Sequence, residues 1–217
     1  MSSYSLSVSG LTKIFGRRLI FRGIDMEIAG PGIYGISGIN GSGKSTFVKI
    51  IAGLLTPSKG MVEHKLGGKK AEDEELPGII GLASPYLMLY DEFTAEENID
   101  FFSKVRGGNF SSERMRNLFE YFGLTERKDD LLKTYSSGMK QRVKFIFALQ
   151  HQPQLLILDE PVSNLDIAGK NQIYDMVREY AKDHVVVVAS NEEGDLALCS
   201  RVIYLGDYKN NGNGEGR

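Results

Sequence analysis

The 217-residue sequence predicts an α/β fold, in which a mostly parallel sheet is flanked by helices and carries an N-terminal antiparallel β subdomain and an inserted helical subdomain. Three observations predict it. A glycine-rich segment, residues 38–46, separates an apolar strand-like run from a helical one. After it, apolar runs of strand length alternate with helical patterns, as in parallel sheets. Helical periodicity also fills the stretch from about residue 88 to 135, which indicates an insertion into that alternation.

Composition favours one domain over residues 1–206 and argues against several classes of protein. Lys and Arg number 26 against 28 Asp and Glu, so no basic field points to nucleic acid as a partner. Cys199 is the only cysteine, which excludes an internal disulfide. The three histidines, His64, His151 and His184, lack the spacing of zinc ligands and are expected at the surface.

The sequence shows no segment that resembles a signal peptide or a membrane span. Residues 1–5 have neither a basic flank nor an apolar core. The longest apolar runs, such as residues 155–158 and 185–189, are far shorter than the roughly 20 residues that a membrane-spanning helix needs. Any role at a membrane is therefore expected to depend on a partner.

The first half of the chain predicts two β regions around one helix. Short apolar segments punctuated by glycine and basic residues predict a small antiparallel sheet over residues 6–28. A strand is predicted over residues 33–36, and a helix begins near Lys44. The pattern then predicts a return strand over residues 60–64 and a polar, solvated loop or hairpin over residues 65–78.

The second half alternates strands and helices. After a strand over residues 79–83, Thr94 and Glu97 form a predicted capping box at the start of a helix, and a second apolar stripe ends before Gly123. The tail, residues 207–217, is rich in Gly and Asn and is expected to be disordered. The remaining predictions are helices from Ser136 to about residue 150, over residues 167–181 and near residue 196, and strands over residues 155–158, 185–189 and 201–205.

The segment Gly38-Ile39-Asn40-Gly41-Ser42-Gly43-Lys44-Ser45-Thr46 fits the phosphate-loop pattern of nucleotide-binding proteins. Its glycines permit backbone torsions that turn successive N–H groups inward, and the following helix adds the positive end of its dipole. Lys44 would reach the outer phosphates, Ser45 would offer its hydroxyl to Mg²⁺, and Thr46 would support the inner phosphate. The alternative is a Gly/Ser turn that fits the pattern by accident. The residues expected at the nucleotide are Gly38, Asn40, Gly41, Ser42, Gly43, Lys44, Ser45 and Thr46.

Two carboxylates at the end of an apolar strand predict the hydrolytic chemistry. Asp159 stands at the edge where such sheets bind ligands, and it could hold Mg²⁺ through water beside Ser45. Glu160 could polarise the water that attacks the γ-phosphate of ATP. The alternative is a turn before Pro161 that carries no chemistry.

With these motifs in place, the chain resembles the ATP-binding cassette of ABC transporters, which has a P-loop NTPase core, from about Leu6 to Leu205. Residues 135–142, Tyr-Ser-Ser-Gly-Met-Lys-Gln-Arg, resemble the signature segment of that family, with Ser137 and Met139 in place of a glycine and a glutamine. The resemblance implies that Ser136, Ser137 and Gly138 bind the γ-phosphate held by another subunit.

The resemblance suggests roles for two further residues. Residues 163–166 resemble the segment that crosses the dimer interface, which would place Asp166 at the nucleotide. Asp166 can also be a helix N-cap, and both roles can hold together. Phe15 lies where the family has an aromatic ring that stacks on adenine. An apolar strand residue explains Phe15 about as well.

Two positions depart from the family pattern. The family usually carries a glutamine near the metal after the strand at residues 79–83, whereas this chain reads Ala-Ser-Pro-Tyr at residues 83–86, with Pro85 and no glutamine. Asn191 stands where the family usually has a histidine that contacts the γ-phosphate. Asparagine can donate a neutral hydrogen bond but cannot become cationic. Asn191 is therefore expected to act with Lys44 and Glu160 in a catalytic site that turns over slowly.

The resemblance implies an ATP-hydrolysing subunit, using ATP and Mg²⁺, that powers a separate membrane permease from the cytoplasmic face. A second cassette, in a homodimer or a heterodimer, would complete the nucleotide site. The permease is expected in a groove formed by the segment between Leu87 and Phe93 and the helical insertion, and no nucleic acid partner is expected. Residues 94–102 look most like small exporter ATPases, including the haem-exporter type of cytochrome c maturation.

Two other functional classes stay open. A nucleotide-gated regulatory module with little hydrolysis is motivated by Pro85 and Asn191, while Glu160 argues against it. A soluble cassette protein of DNA repair or translation would be expected to show a tandem cassette, a long coiled coil or a basic arm, and the sequence shows none of them.

Overall fold

The computed structural model describes residues 4–106 and 111–209. It confirms the predicted α/β fold class. The strands of the described residues are β1 (Tyr4–Phe15), β2 (Arg18–Ile28), β3 (Gly32–Ser37), β4 (Lys59–Leu66), β5 (Lys69–Lys70), β6 (Ile80–Ala83), β7 (Leu155–Asp159), β8 (Val185–Ser190) and β9 (Arg201–Tyr204). The helices are α1 (Lys44–Ile51), α2 (Leu76–Ile79), α3 (Ala95–Val105), α4 (Ser112–Tyr121), α5 (Ser137–Leu149), α6 (Ile167–Tyr180) and α7 (Glu193–Leu196), with 3-10 turns at Thr125–Arg127, Leu132–Thr134 and Leu205–Tyr208.

The N-terminal strands form a four-stranded antiparallel sheet in the order β2-β1-β4-β5. The first hairpin turns within two residues, because Phe15 pairs directly with Arg18. Strand β4 returns beside β1 with His64 opposite Leu6, and a short β4–β5 hairpin forms in the polar stretch after it. The predicted antiparallel sheet therefore includes strands from both sides of α1.

The second sheet is parallel, in the order β6-β7-β8-β3-β9. Strands β7 and β8 are buried along their whole length, as expected for central strands covered on both faces. The register places Asp159 opposite Ala189 and Ser37 opposite Ser190. The residues that follow β3, β7 and β8 therefore share one edge of the sheet.

Helices α3 and α4 lie between β6 and α5, where the sequence predicts an inserted helical subdomain. The predicted capping box is present at the start of α3. The hydroxyl of Thr94 accepts a hydrogen bond from the Glu97 amide at 3.0 Å, and the Glu97 carboxylate accepts one from the Thr94 amide at 2.8 Å. Both orphan amides are thus satisfied, which fixes where α3 begins.

Helix α5 packs directly against strand β6. Gly81 has no side chain, and a Cβ atom there would lie 2.2 Å from the carbonyl oxygen of Ala148 and 2.7 Å from Pro153 Cγ. Only glycine permits so close an approach of two backbones. The backbone of α5 therefore rests on the backbone of β6.

The prediction that all three histidines lie at the surface is wrong for His64. Its side chain is only 5% exposed, because the pairing of β4 with β1 turns it into the interior, and its Nδ1 lies 2.7 Å from the hydroxyl of Tyr4. Burial lowers the pKa of His64 to about 4. His151 and His184 are half-buried rather than surface residues.

The described chain ends against the phosphate loop. After the turn Leu205–Tyr208, the ammonium of Lys209 donates a hydrogen bond to the carbonyl of Gly41 at 3.2 Å. The tail expected to be disordered thus begins with placed residues, and residues 210–217 lie outside the described residues. No helix in residues 4–106 and 111–209 is long and apolar enough to cross a membrane.

Candidate functional site

The predicted phosphate loop joins β3 to α1. Helix α1 begins at Lys44, and Gly43 at its N-cap position is in the left-handed region with a φ of 109°. No described side chain caps this helix, so the amides of its first turn are available to an anion. The loop therefore has the backbone arrangement of a phosphate site.

Two glycines of this loop are required by close packing as well as by torsion. A Cβ atom at Gly43 would lie 2.5 Å from Ile20 Cγ2, and one at Gly38 would lie 2.6 Å from Ser42 Oγ. Both glycines also have positive φ angles. Strand β2 therefore closes on the loop from one side, and Ser42, only 1% exposed, fills its interior.

Lys44 directs its charge into the loop. Its side chain is buried, and the ammonium donates a hydrogen bond to the carbonyl of Gly38 at 2.7 Å. A buried ammonium on a glycine-rich loop is the point charge expected for binding phosphate oxygens. The position agrees with the role that the sequence predicts for Lys44.

Asp159 lies at the end of β7 and is buried beside the loop. Burial raises the pKa of Asp159, whereas hydrogen bonds from Ser45 and Ser84 and the charge of Lys44 oppose that rise. Its Oδ1 atom has no hydrogen-bond partner among the described residues. A buried carboxylate oxygen with no partner, next to a serine hydroxyl, fits the oxygen donors that Mg²⁺ prefers. The residues present therefore fit the predicted metal site of Ser45 and Asp159.

Glu160 adopts a backbone conformation that few residues other than glycine adopt, with a φ of 50°. Two contacts hold it there: its amide donates to the carbonyl of Ala189 at 2.8 Å, and its carbonyl accepts from the Ser163 hydroxyl at 2.9 Å. Strained backbone of this kind is concentrated at functional sites. The strain turns the chain sharply after β7, next to the metal-site aspartate.

One cleft of about 540 Å³ brings most of these residues together. Glu160 and residues of the phosphate loop line it together. Phe15 also lines it, with its ring 47% exposed and the Lys13 ammonium 4.7 Å from the ring centroid. The lining residues are Phe15, Arg18, Ile20, Asn40, Gly41, Gly43, Lys44, Ser45, Thr46, Tyr86 and Glu160.

Sequence reasoning missed three residues of this cleft, Arg18, Ile20 and Tyr86. Arg18 enters because it pairs with Phe15 across the first hairpin. The two-residue spacing between them is a hairpin signal that could have found it. Tyr86 is 65% exposed and lies under the ammonium of Lys49, 4.6 Å from its ring centroid. No local pattern in the sequence predicts the contact between Lys49 and Tyr86.

Asn191 reaches the phosphate loop from the end of β8. Its side-chain amide donates to the side-chain oxygen of Asn40 at 3.3 Å. The turn that carries it is anchored by Ser190, whose hydroxyl donates to Asp195 at 2.6 Å and accepts from the Glu192 amide at 3.0 Å. Burial raises the pKa of Asp195 against the hydrogen bonds that it accepts. Asp195 supports the turn, and sequence reasoning missed it.

The residues resembling the signature segment lie elsewhere on the chain. The Ser136 hydroxyl caps α5 by accepting from the Met139 amide at 3.2 Å, and Ser136 and Ser137 are exposed while Gly138 is half-buried. Asp166 caps α6 by accepting from the Gly169 amide at 2.8 Å, and it is exposed. The helix-cap alternative for Asp166 is therefore realised.

One of these residues, Ser137, borders a different cleft, of about 270 Å³. Ser137, Ser163 and Asn164 line it, and it shares no lining residue with the cleft of the phosphate loop. Within one chain, the structure does not bring the segment around Ser136 to the phosphate loop. The polar start of α5, at Ser136 and Ser137, is exposed to solvent.

The segment between Leu87 and Phe93 carries an exposed aromatic cluster. The Tyr90 ring is 50% exposed, Phe93 38% and Phe101 40%, and Met88 beside them is 84% exposed. Tyr90 stacks on Phe102 with 5.9 Å between ring centroids. The segment that the sequence predicts for contact with a partner thus presents apolar surface.

The sequence model of the family described as ABC transporter matches residues 21–163. The chain is 32% identical over 205 residues to the linearmycin resistance ATP-binding protein LnrL of Bacillus subtilis (strain 168), covering 91% of this chain and 65% of that protein. It is 31% identical over 205 residues to the daunorubicin/doxorubicin resistance ATP-binding protein DrrA of Streptomyces peucetius, covering 93% of this chain and 62% of that protein. The chain therefore spans less than two thirds of the length of these two relatives.

A solved structure described as the ATP binding subunit of an ABC transporter has the same fold. The match has a TM-score of 0.78 and 24% sequence identity, and it covers 92% of this chain and 85% of that chain. At this identity the likeness concerns the fold alone. It agrees with the pairing of a parallel and an antiparallel sheet described above.

Proposed function

The chain belongs to the ABC transporter family, as one of its ATP-binding domains, and on that premise we propose that it hydrolyses ATP to power a separate membrane permease of an exporter. The observation that carries the proposal is the cleft of about 540 Å³ that Glu160 lines together with Lys44 and other residues of the phosphate loop. A nucleotide-binding loop alone implies binding, whereas a carboxylate opposite it adds a group that can orient an attacking water.

The residues of this cleft divide the chemistry between them. The Lys44 ammonium and the uncapped amides of α1 bind phosphate oxygens. Ser45 and Asp159 would hold Mg²⁺, which supplies charge neutralisation at the phosphates when bound. Glu160 accepts a hydrogen bond from water and orients it for attack, and Asn191 donates a neutral hydrogen bond toward the γ-phosphate position.

A second cassette completes the site in this proposal. Ser136 and Ser137 are exposed at the start of α5, and neither lines the cleft of the phosphate loop in their own chain. A helix start of that kind binds anions, so it can contact the nucleotide held by another copy. Two copies related by a twofold axis would satisfy both loops and both helix starts at once.

In this proposal the permease docks on the exposed aromatic cluster around Tyr90, and the chain works at the cytoplasmic face of a membrane. The two named relatives are resistance proteins, which favours an exporter. The narrower resemblance to ATPases of the haem-exporter type stays a prediction.

The experiment compares the steady-state ATPase rate of the purified protein with that of its Glu160→Gln variant, with and without membranes that contain the permease. Wild-type activity should exceed that of the variant by at least about a hundredfold, while the affinity for a fluorescent ATP analogue stays within about twofold. Equal rates in both proteins under both conditions would contradict the hydrolytic proposal.

A second candidate function, a nucleotide-gated regulatory module, is favoured by Asn191 and by the absence of a glutamine at residues 83–86. It predicts that nucleotide closes a dimer in the wild-type protein without measurable hydrolysis. Light scattering of the wild type and Glu160→Gln in Mg·ATP separates the two functions, because only a hydrolysing wild type returns to monomer with time. A non-transport role predicts that gentle purification from native membranes recovers no membrane protein with the chain.

A further inference from the structure

Ser84 makes a directed contact with the metal-site carboxylate. It follows β6, is 4% exposed, and its hydroxyl donates to Asp159 Oδ2 at 3.2 Å. The Ser84 hydroxyl oxygen also accepts a hydrogen bond from the Tyr86 amide at 3.3 Å. The Ser84 oxygen thus accepts from the Tyr86 amide, while its own proton is donated to Asp159.

Lys144 holds the backbone on either side of this contact. Its ammonium, projecting from α5, donates to the carbonyls of Ser84 at 3.1 Å and Pro85 at 3.0 Å. Burial lowers the pKa of Lys144, and the nearby charge of Lys140 lowers it further. Its hydrogen bonds to the two carbonyls satisfy donors that burial withdraws from water. The segment that contains Ser84 is thereby pinned to α5.

The hydrogen bond from Ser84 leaves the two carboxylate oxygens of Asp159 in different environments. Oδ2 is engaged by Ser84, and Oδ1 has no partner among the described residues. We propose that Ser84, held in place by Lys144, is a positioning residue that orients Asp159 toward a divalent cation. This inference rests on the proposed function, since it concerns the metal of the same site.

Groups that orient a metal ligand typically change metal affinity by about ten- to a hundredfold when removed. The test measures the affinity of the full-length protein for a fluorescent ADP analogue, once in Mg²⁺ and once in EDTA, and takes the ratio of the two. Ser84→Ala should lower this ratio about tenfold and Lys144→Met about threefold. Ser84→Thr, which keeps the hydroxyl, should stay within about twofold of wild type. The affinities in EDTA should not change.

Two control variants carry the same types of substitution, Ser→Ala and Lys→Met, at positions away from the site. Ser200→Ala removes a hydroxyl that donates to the Ile33 carbonyl, and Lys182→Met removes an exposed ammonium paired with Glu179. Both should retain the wild-type ratio. Binding of Mn²⁺ to the ADP complex, followed by electron paramagnetic resonance, should rank the variants in the same order.

The outcomes separate the inference from the function on which it rests. A wild-type ratio of one, with no effect of Mg²⁺ on nucleotide affinity, overturns the proposed function itself. A normal wild-type ratio that Ser84→Ala leaves unchanged overturns only the inference. A Ser84→Ala protein that loses as much affinity in EDTA as in Mg²⁺ also overturns it, because Ser84 would then support the loop rather than the metal.

Discussion

The side-chain amide of Asn191 donates a hydrogen bond to the side-chain oxygen of Asn40 across 3.3 Å, and so links the turn after β8 to the phosphate loop. Neither side chain is ionisable, so Asn191 contributes a neutral amide group and no charge to this side of the phosphate loop. The position of Asn191 suits a contact with a terminal phosphate. Its chemistry limits how strongly it can stabilise the additional charge of a transition state.

Replacing Asn191 by histidine should therefore accelerate ATP hydrolysis. The imidazole can become cationic, and a gain of about 1 kcal/mol in transition-state stabilisation corresponds to a rate increase of roughly fivefold. Steady-state ATPase assays between pH 6 and 8 measure it, and the gain should be largest at low pH. Asn117→His, on the surface of α4, serves as the control. An unchanged rate at every pH would show that another group already supplies the interaction.

Substitution of Gly43 should lower nucleotide affinity more than a typical substitution in a loop. Alanine there combines a positive φ with a clash against Ile20, so nucleotide affinity should fall at least about tenfold. The double variant Gly43→Ala with Ile20→Ala should recover part of the loss, because it removes the clash but not the torsional cost. Gly16→Ala, where φ is 57° and no atom lies within 4 Å of a Cβ, is the matched control. An absence of recovery would refute the role of Ile20.

Asp166 has two roles that a pair of variants can separate. Asp166→Ala removes the cap of α6 and should cost about 1 kcal/mol in the free energy of unfolding, measured by urea denaturation. Asp166→Ser retains a cap and should restore stability. If Asp166 also contacts nucleotide across a dimer interface, Asp166→Ser should still reduce ATPase activity. Full activity in that variant would restrict Asp166 to capping.

The buried His64 makes stability depend on pH. Its pKa is about 4 in the fold and about 6.5 when unfolded, so its contribution is complete above pH 6.5 and is lost as the pH falls toward 4. The charge of Asp73 raises this pKa and so limits the loss. The difference in unfolding free energy between wild type and His64→Gln should shrink by about 1.4 kcal/mol per pH unit in that window. A difference that is constant from pH 7 to 4 would refute the assignment.

Local signals in the sequence were sufficient for the elements that frame the site. The capping box at Thr94, the glycine torsions around Gly43 and the apolar run before Asp159 each depend on a few neighbouring residues. Once these elements are placed, the parallel register alone brings the ends of β3, β7 and β8 to one edge. The location of Asp159 and Glu160 beside the loop follows from that topology.

Contacts between distant segments were beyond sequence reasoning. His64 is buried because β4 pairs with β1 across nearly sixty residues, which no local periodicity encodes. Lys144 meets the Ser84 carbonyl because α5 packs on β6, and its helical position alone gives no hint of a carbonyl partner. These positions depend on tertiary packing, where residues without a local pattern acquire a specific neighbour.

The contact between Gly81 and Ala148 has a mechanical consequence. A layer of side chains can yield when two elements shift, but here the carbonyl of the helix faces the backbone of the strand with nothing compressible between them. Helix α5 is 13 residues long, or about 20 Å. It therefore connects the exposed serines at its start with β6, the strand that precedes Ser84, through one rigid element. If another molecule displaced those serines, α5 and β6 would be expected to move together.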